Sequence, residues 1–394
     1  MNGDRIHVAL VGPMDPRALA HHLRSTANIP DGGPTPVNEL ADGLLALGHR
    51  VSVYTPLEGA RTTIRLSGEN LDITFVPHRN RHRARNFFRD ERRALEQELK
   101  SSEADVVNVH WTYELALAAI KSGKWPLLVT AHDAPFTILR YRRDAYRLIR
   151  AAMAIRTRFA IRELTAISPY LAHNWRKQMF YRRPISVIPN ILPNLPLAAP
   201  SSVRSRWVIL DVADDSRLKN VRTLIRAFAM VVKRFPQAEL RLVGHGLAAQ
   251  GPIVEWARSR RLDANITFVG PVDRADIANE YARASIFCHA SLEESHGVSI
   301  IEALHAGLPV IAGKHSGAVP WTLFEGRAGR LVDVRDPAAI AAAVSDALHD
   351  PLSTVAPGFD VAQAINDRHR PDVVAAAYLT EYRRLIEAVH SDDR

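Results

Sequence analysis

Short apolar runs alternate with helical segments along almost the whole chain, and this alternation restricts the possible folds more than any other feature. The runs at residues 6–11, 51–54 and 105–110 are mainly apolar without strict polar alternation. Such runs are typical of parallel strands that helices cover on both faces. The rhythm stops at residues 185–200, where four prolines fall within twelve residues, and then resumes. The sequence therefore predicts an α/β protein made of two doubly wound domains.

The interruption also sets the predicted domain boundaries. We expect a first domain over residues 1–190, a hinge linker over 191–205 and a second domain over 206–370. A last helical segment over 371–394 is expected to pack back on the first domain. A chain of 394 residues is long enough for this arrangement. Because doubly wound folds bind ligands at the carboxyl ends of their strands, the two domains are expected to face a shared cleft.

Composition excludes several classes of protein. Hydrophobic residues make up 47% of the chain and charged residues 24%, so wholesale disorder is excluded. Cys288 is the only cysteine, which excludes an internal disulfide framework and a cysteine-based zinc site. No run of eighteen apolar residues occurs, and the first apolar stretch is too short for a signal peptide. We therefore expect a cytoplasmic location.

The positive charge of the chain is concentrated in arginine. The formal net charge is +9, and only seven of the 51 basic residues are lysine. Two arginine-rich segments, 79–93 and 140–162, also carry apolar residues at helical spacing, which suits docking on an anionic membrane at the inner face of the cell. Two other interpretations stay open: solvated arginines outside an ordinary core, and a base-composition bias. Nucleic-acid binding is disfavoured because no reader motif accompanies the charge.

The strongest local signal lies in residues 291–310, SLEESHGVSIIEALHAGLPV. A polar loop leads to Gly297, and a helical segment follows that stops at Gly307. The amides of Val298 and Ser299 would lack partners within that helix, and Gly297 lets an anion approach the backbone closely. The segment is therefore predicted to bind a phosphate group.

Glu294 and Glu302 flank this predicted phosphate site, with seven residues between them. A carboxylate repels a neighbouring phosphate, so these two side chains should face the hydroxyl groups of a sugar or a ribose. A nucleotide sugar carries both kinds of group, and it is the predicted ligand. The alternative is that both glutamates are ordinary polar residues of a loop and a helix.

This pattern resembles the E-x7-E signature of retaining GT-B glycosyltransferases of family 4. Gly297 lies three residues after Glu294, and EALHAGLPV begins at Glu302. Further segments match at the family's spacing: VIPN at 187–190, LVGHG at 242–246 and FVG at 268–270. The resemblance covers nearly the whole chain and implies two Rossmann-like domains, with the donor bound mainly by the second and the acceptor by the first. It also implies retention at the anomeric carbon, no metal and no cofactor.

The resemblance assigns a role to Lys219 in the second domain. A lysine at this position contacts the donor pyrophosphate in the family, and an arginine usually stands five residues earlier. Asp214 occupies that earlier position here. Arg217 is therefore expected to supply the second positive charge.

In the first domain, the resemblance points to His132 and to a glycine loop. His132 follows a predicted strand and matches a histidine that contacts the donor sugar or its leaving phosphate. Gly32 and Gly33 precede a helix and are expected to expose backbone amides near the transferred sugar and the acceptor.

Together these expectations describe one reaction. A hexosyl unit would move from a nucleoside-diphosphate sugar to a hydroxyl of a glycan, lipid-linked or small-molecule acceptor, in glycoconjugate biosynthesis. The predicted catalytic residues are Glu294, His132 and Lys219, and the predicted donor-binding residues are Arg217, Gly297, Val298, Ser299 and Glu302. Two alternatives stay open: a sugar-nucleotide epimerase of the same fold and a non-catalytic anion-binding module.

Overall fold

The computed structural model describes residues 5–392 except 28, 34, 124 and 193–206. The chain divides into two compact units: unit 1 comprises Met1–Ile191 and Arg368–Arg394, and unit 2 comprises Leu192–Asp367. The predicted hinge at 191–205 lies almost entirely outside the described residues. The predicted boundary after residue 370 lies close to Arg368, where the chain re-enters unit 1.

Unit 1 is built around an eight-stranded sheet. Its strands are β1 His7–Val11, β2 Arg50–Glu58, β3 Ile64–Ser67, β4 Leu71–His78, β5 Val106–His110, β6 Leu127–Ala131, β7 Leu164–Ala166 and β8 Ile185–Val187. Their order is β3-β4-β2-β1-β5-β6-β7-β8, and β1 pairs in parallel with both β2 and β5. The predicted parallel sheet needs one correction, because β3 pairs antiparallel with β4. The four residues of this edge strand are mostly exposed, so they form no apolar run that the sequence pattern could reveal.

Helices cover the sheet of unit 1. They are α1 Pro36–Ala46, α2 Arg89–Lys100, α3 Glu114–Ser122, α4 Pro135–Tyr141, α5 Ala145–Ala160 and α6 Pro169–Gln178, together with short 3-10 helices at Pro16–His22 and Arg83–Asn86. The strand residues between the helices are almost fully buried. This burial explains why the strands appear in the sequence as continuous apolar runs.

Unit 2 contains a six-stranded parallel sheet. Its strands are β9 Val208–Val212, β10 Glu239–Val243, β11 Ile266–Gly270, β12 Ile286–His289, β13 Val310–Gly313 and β14 Arg330–Val332. Its helices are α7 Val221–Arg234, α8 Pro252–Ser259, α9 Arg274–Arg283, α10 Val298–His305, α11 Val319–Thr322, α12 Pro337–His349 and α13 Val361–His369, with a 3-10 helix at Pro351–Thr354. The strand order is β11-β10-β9-β12-β13-β14, so the carboxyl ends of β9 and β12 are neighbours. The predicted α/β class with two doubly wound sheets is confirmed.

The last helix, α14 Pro371–Asp392, completes the core of unit 1. Tyr378 and Tyr382 are buried in it, and Asn108 on β5 donates a hydrogen bond to the Tyr382 hydroxyl at 2.7 Å. Where the chain leaves and re-enters unit 1, His369 Nδ1 lies 2.9 Å from the Asn190 carbonyl oxygen. Burial lowers the pKa of His369 to about 4, so this ring is neutral and donates to that carbonyl. Among the described helices, none is long and apolar enough to cross a membrane.

Candidate active site

The helix α10 begins where the sequence predicted. Gly297 precedes it in the left-handed region, with φ at +81°, and the first helical bonds run from the amides of Ile300 and Ile301 to the Gly297 carbonyl at 3.0 and 3.2 Å. The amides of Val298 and Ser299 precede these bonds. Both residues are partly exposed, and Gly297 makes no side-chain cap hydrogen bond to this end of the helix. The predicted anion-binding role of this helix end stays a prediction.

Lys219 and Glu294 meet beside this helix although 75 positions separate them. Lys219 Nζ donates to Glu294 Oε1 at 2.6 Å. Their side chains are 23% and 11% exposed, so a ligand can reach the pair. The next residue, Asn220, holds the Lys219 loop in place, since its side-chain amide donates to the carbonyl oxygens of Ala290 and Val334 at 3.1 and 2.8 Å. The structure thus brings two of the predicted site residues together.

Two fully buried residues behind Glu294 extend this contact, and sequence reasoning missed both. His289 Nε2 lies 2.9 Å from Glu294 Oε1, and His289 Nδ1 lies 2.7 Å from Asp211 Oδ1. A ring with a carboxylate at each nitrogen donates to both only when it is doubly protonated. Positive and negative groups therefore alternate along Lys219, Glu294, His289 and Asp211. We call these four residues the ion-pair network of unit 2.

The pKa shifts agree with this assignment. Burial disfavours the charged ring of His289, but the carboxylates of Asp211 and Glu294 outweigh it and raise the pKa from 6.5 to about 9. Burial also disfavours ionisation of Glu294, but Lys219 and His289 hold the pKa of this carboxyl well below its usual range. Glu294 is therefore ionised at neutral pH.

The shifted pKa of His289 predicts how stability depends on pH. The stabilisation from this imidazolium should be fully present below pH 6.5 and should be lost as the pH rises through 9, because the unfolded chain gives up its proton earlier than the folded one. We expect the free energy of unfolding, measured by urea titration, to fall across this window. The variant His289→Leu should show a flatter profile. Equal slopes in the two proteins would contradict the assignment of the proton.

Glu302 lies on α10 and is oriented by a tyrosine. The Tyr281 hydroxyl donates to Glu302 Oε2 at 2.8 Å and lies 3.3 Å from the Ser299 carbonyl. Burial and the charge of Glu302 raise the pKa of Tyr281 well above 10, so the hydroxyl keeps its proton. Tyr281 was not among the predicted site residues.

A glycine turn lies against the loop that carries Lys219. A Cβ atom on Gly244 would lie 1.9 Å from the Ala213 carbonyl, and one on Gly246 would lie 2.2 Å from the Asp215 carboxyl carbon. Only glycine allows the turn and the loop to approach so closely. Arg217 is exposed in the same loop, two residues before Lys219.

His132 lies in unit 1, directly after β6. It is buried, and its Nε2 lies 2.8 Å from His110 Nδ1. Burial lowers the pKa of His110 to about 3, so that ring is neutral. The indole of Trp111 stacks on His132 with ring centroids 4.4 Å apart and fixes its orientation.

The two glycines of the predicted loop in unit 1 have different surroundings. Gly32 is required by close packing, since a Cβ atom there would lie 2.1 Å from the Met14 carbonyl, whereas Gly33 is exposed with open space around it. The helix that follows is capped by its own chain, because the Thr35 hydroxyl accepts a hydrogen bond from the Val37 amide at 3.3 Å. The cap satisfies the Val37 amide, and the role expected of Gly32 and Gly33 stays a prediction.

One group of possible metal ligands lies elsewhere in unit 1. His21 Nε2 and His22 Nε2 lie 3.2 and 2.8 Å from the same oxygen of Asp42. None of these residues belongs to the predicted site. The expected independence from metals stays a prediction.

Comparisons with known proteins agree with the predicted family. A family model described as Glycosyltransferase Family 4 matches residues 30–192, and one described as Glycosyl transferases group 1 matches residues 199–358. The D-inositol 3-phosphate glycosyltransferase of Corynebacterium kroppenstedtii is 35% identical over 157 residues, or 38% of this chain and 35% of that protein. The phosphatidyl-myo-inositol mannosyltransferase of Mycolicibacterium smegmatis is 27% identical over 377 residues, or 90% of each chain.

Solved structures share the fold at low sequence identity. Sucrose-phosphate synthase from Thermosynechococcus elongatus matches with a TM-score of 0.76 and 20% identity, over 98% of this chain and 100% of that chain. Anabaena HepE, solved with UDP and glucose, matches with a TM-score of 0.67 and 16% identity, over 96% and 100% of the two chains. These likenesses concern the fold alone, but the two family models together span most of the sequence. The chain therefore belongs to the GT-B glycosyltransferases of the family 4 type.

Proposed function

We propose that this glycosyltransferase moves a hexosyl unit from a nucleoside-diphosphate sugar to an acceptor hydroxyl, with retention at the anomeric carbon. The observation that carries the proposal is the contact of Lys219 with Glu294 beside the open end of α10. A sugar diphosphate needs a cation and backbone amides for its phosphates and a carboxylate for its hydroxyls. Lys219 and Glu294 supply the cation and the carboxylate in direct contact, and the first amides of α10 follow Glu294 by four and five residues.

The donor requires several of these groups at once. Micromolar binding corresponds to about 8 kcal/mol, whereas a helix N-terminus contributes roughly 0.3–2 kcal/mol and a charge-assisted hydrogen bond about 1.5–3 kcal/mol. The amides of Val298 and Ser299, the Lys219 ammonium and the exposed Arg217 would therefore share the diphosphate. An ammonium has three donors, so Lys219 can contact the phosphate and keep its bond to Glu294.

The same groups serve the chemical step. The bond from the anomeric carbon to the diphosphate breaks, and a bond to the acceptor oxygen forms on the same face. Lys219 and the amides of α10 would stabilise the charge that develops on the leaving diphosphate. Glu294, kept ionised by Lys219 and His289, would accept hydrogen bonds from donor sugar hydroxyls, and Glu302 from the ribose. The acceptor proton would pass to the leaving phosphate, with His132 assisting.

A cavity of about 320 Å³ in unit 1 is the proposed acceptor site. Trp111, Tyr113, Glu114, Arg83 and Arg150 contribute to its lining. Glu114 is buried beside this cavity, and the arginines would suit an anionic substituent of the acceptor. Because two relatives are named for inositol phosphate and phosphatidyl-myo-inositol, inositol-containing acceptors are the first to test.

The first test is donor-dependent stabilisation. A nucleoside diphosphate at a hundredfold excess over its dissociation constant should raise the free energy of unfolding by about 2.7 kcal/mol. A thermal-shift screen across uridine, guanosine, adenosine and thymidine diphosphates would identify the base. Activity of the same protein after chelation would test the proposed independence from metals.

The products then separate the candidate reactions. With the matching nucleotide sugar and an inositol-containing acceptor, NMR of the product should show a glycoside with the anomeric configuration of the donor. An altered free sugar formed without acceptor would indicate an epimerase. The absence of stabilisation by every nucleotide would instead favour an anion-binding module and overturn the proposal.

A further inference from the structure

Helix α5 carries apolar residues on two faces. One face is buried in unit 1 through Met153, Ala154 and Thr157. On the other side, four apolar residues at spacings of four, three and four share one exposed face; they are Leu148, Ala152, Ile155 and Phe159. Leu148 is 60% exposed and Phe159 74%. The core of unit 1 does not explain this exposed stripe.

A further phenylalanine lies next to the stripe. Phe180 is 70% exposed, with φ at +50°, a conformation that large side chains rarely adopt. Arg158 connects it to the stripe: its guanidinium donates to the carbonyl oxygens of Met179 and Phe180 at 2.7 and 2.5 Å and lies 4.2 Å from the ring centroid of Phe159. Arg158 thus joins the backbone at Phe180 to the ring of Phe159, and both phenylalanine side chains are exposed. We call the stripe and Phe180 together the α5 surface.

The α5 surface lies in the most basic part of the chain. Residues 140–183 contain twelve arginine or lysine residues and two acidic ones, so this stretch alone carries more positive charge than the net +9 of the whole chain. Both acidic residues already pair with arginine: Asp144 with Arg147 at 2.9 Å, and Glu163 with Arg384 at 2.6 Å. The segment that carries the exposed phenylalanines is therefore strongly positive.

The other arginine-rich segment differs. In residues 79–93, Arg79 pairs with Glu91 at 2.7 Å and with Asp90 at 3.1 Å, and Arg83 pairs with Glu58. These ion pairs tie the segment to its own unit. The sequence did not distinguish the two segments, but the structure favours the second as a docking surface.

We propose that the α5 surface docks the enzyme on a bilayer that contains anionic phospholipids. The phenylalanines and aliphatic side chains would enter the interfacial region, while the surrounding arginines would bind lipid phosphates. A second copy of the chain is a poorer occupant, because its α5 surface would bring the same positive charge. The proposal goes beyond the transfer reaction and does not depend on the identity of the donor.

Vesicle sedimentation tests the proposal with the chain of 394 residues. The protein should bind phosphatidylcholine vesicles that contain about one third phosphatidylglycerol and should not bind pure phosphatidylcholine. The double variant Phe159→Ser/Phe180→Ser should bind the anionic vesicles about tenfold more weakly. Leu352→Ser, which removes an apolar side chain 79% exposed in unit 2, is the matched control and should bind normally. Thermal melts by circular dichroism would check that all variants are folded.

A fluorescent label supplies a signal that a folding defect cannot mimic. Since Cys288 is the only cysteine and is buried, Phe159→Cys can be labelled selectively with an environment-sensitive dye. Its emission should shift to shorter wavelength with anionic vesicles, whereas a label at Leu352→Cys should not respond. Failure of the wild type to bind anionic vesicles, or equal binding by the double variant and the control, overturns the proposal. So does a wild-type dimer that becomes monomeric in the double variant, which would assign the surface to a second copy.

Discussion

The variant Lys219→Ala is expected to lower the rate of transfer about 100- to 1,000-fold, the usual effect of removing one preorganised group that stabilises a leaving anion. Lys219 contacts Glu294 at 2.6 Å and lies beside the open end of α10, so its loss removes a charge from the proposed diphosphate site. The melting shift produced by nucleoside diphosphates should shrink as well. Initial rates at saturating donor and thermal shifts would measure the two effects.

A matched control comes from the same unit. Lys233 is an exposed lysine on α7, and Lys233→Ala should leave both transfer and the nucleotide-dependent shift unchanged. The conservative variant Lys219→Arg should keep part of the donor binding, because it retains the charge with a different geometry. Normal turnover by Lys219→Ala would remove this residue from the proposed mechanism.

The largest loss of stability is expected for His289→Leu. This change leaves the fully buried Asp211 without its cation, and breaking a buried ion pair by removing one partner usually costs about 3–5 kcal/mol. Urea unfolding monitored by fluorescence would measure the change. Cys288→Ala, at the preceding buried position of β12, is the control and should cost only about 1 kcal/mol, because it removes no charge partner.

A second substitution separates charge from packing. Adding Asp211→Asn to His289→Leu removes the uncompensated carboxylate, so the double variant should recover most of the lost stability. Transfer activity should stay low in both variants, because Glu294 has lost the group that positions it from behind. A double variant as unstable as His289→Leu alone would show that the cavity, and not the buried charge, causes the loss.

The sequence predicted the parts of the site that depend on local pattern. Gly297 and the start of α10 follow from turn and helix signals within a few residues. Glu294 was found from the pattern around Gly297 and Lys219 through the family resemblance, and the structure shows that the two side chains are in contact. The ion-pair network of unit 2 was missed because Asp211 and His289 lie 78 positions apart. Only the pairing of β9 with β12 makes them neighbours, and pattern analysis does not give strand order.

One strand of unit 1 was also missed, for a different reason. The edge strand β3 has exposed residues, so no apolar run marks it. The cap of α1 by the Thr35 hydroxyl, by contrast, agrees with the usual preference for threonine at the N-terminus of a helix. Strand order and an exposed edge strand were therefore missed, whereas the expected bounds of β1, β5 and α14 agree with the structure to within two residues.

The path of the chain has a consequence for biosynthesis. Because α14 fills part of the core of unit 1, the ribosome must finish unit 2 before unit 1 can bury that apolar surface. The first 190 residues would therefore stay incompletely packed while unit 2 folds. Nascent chains halted before residue 371 should accordingly be sensitive to proteolysis within their amino-terminal half and resistant in the region of the second sheet.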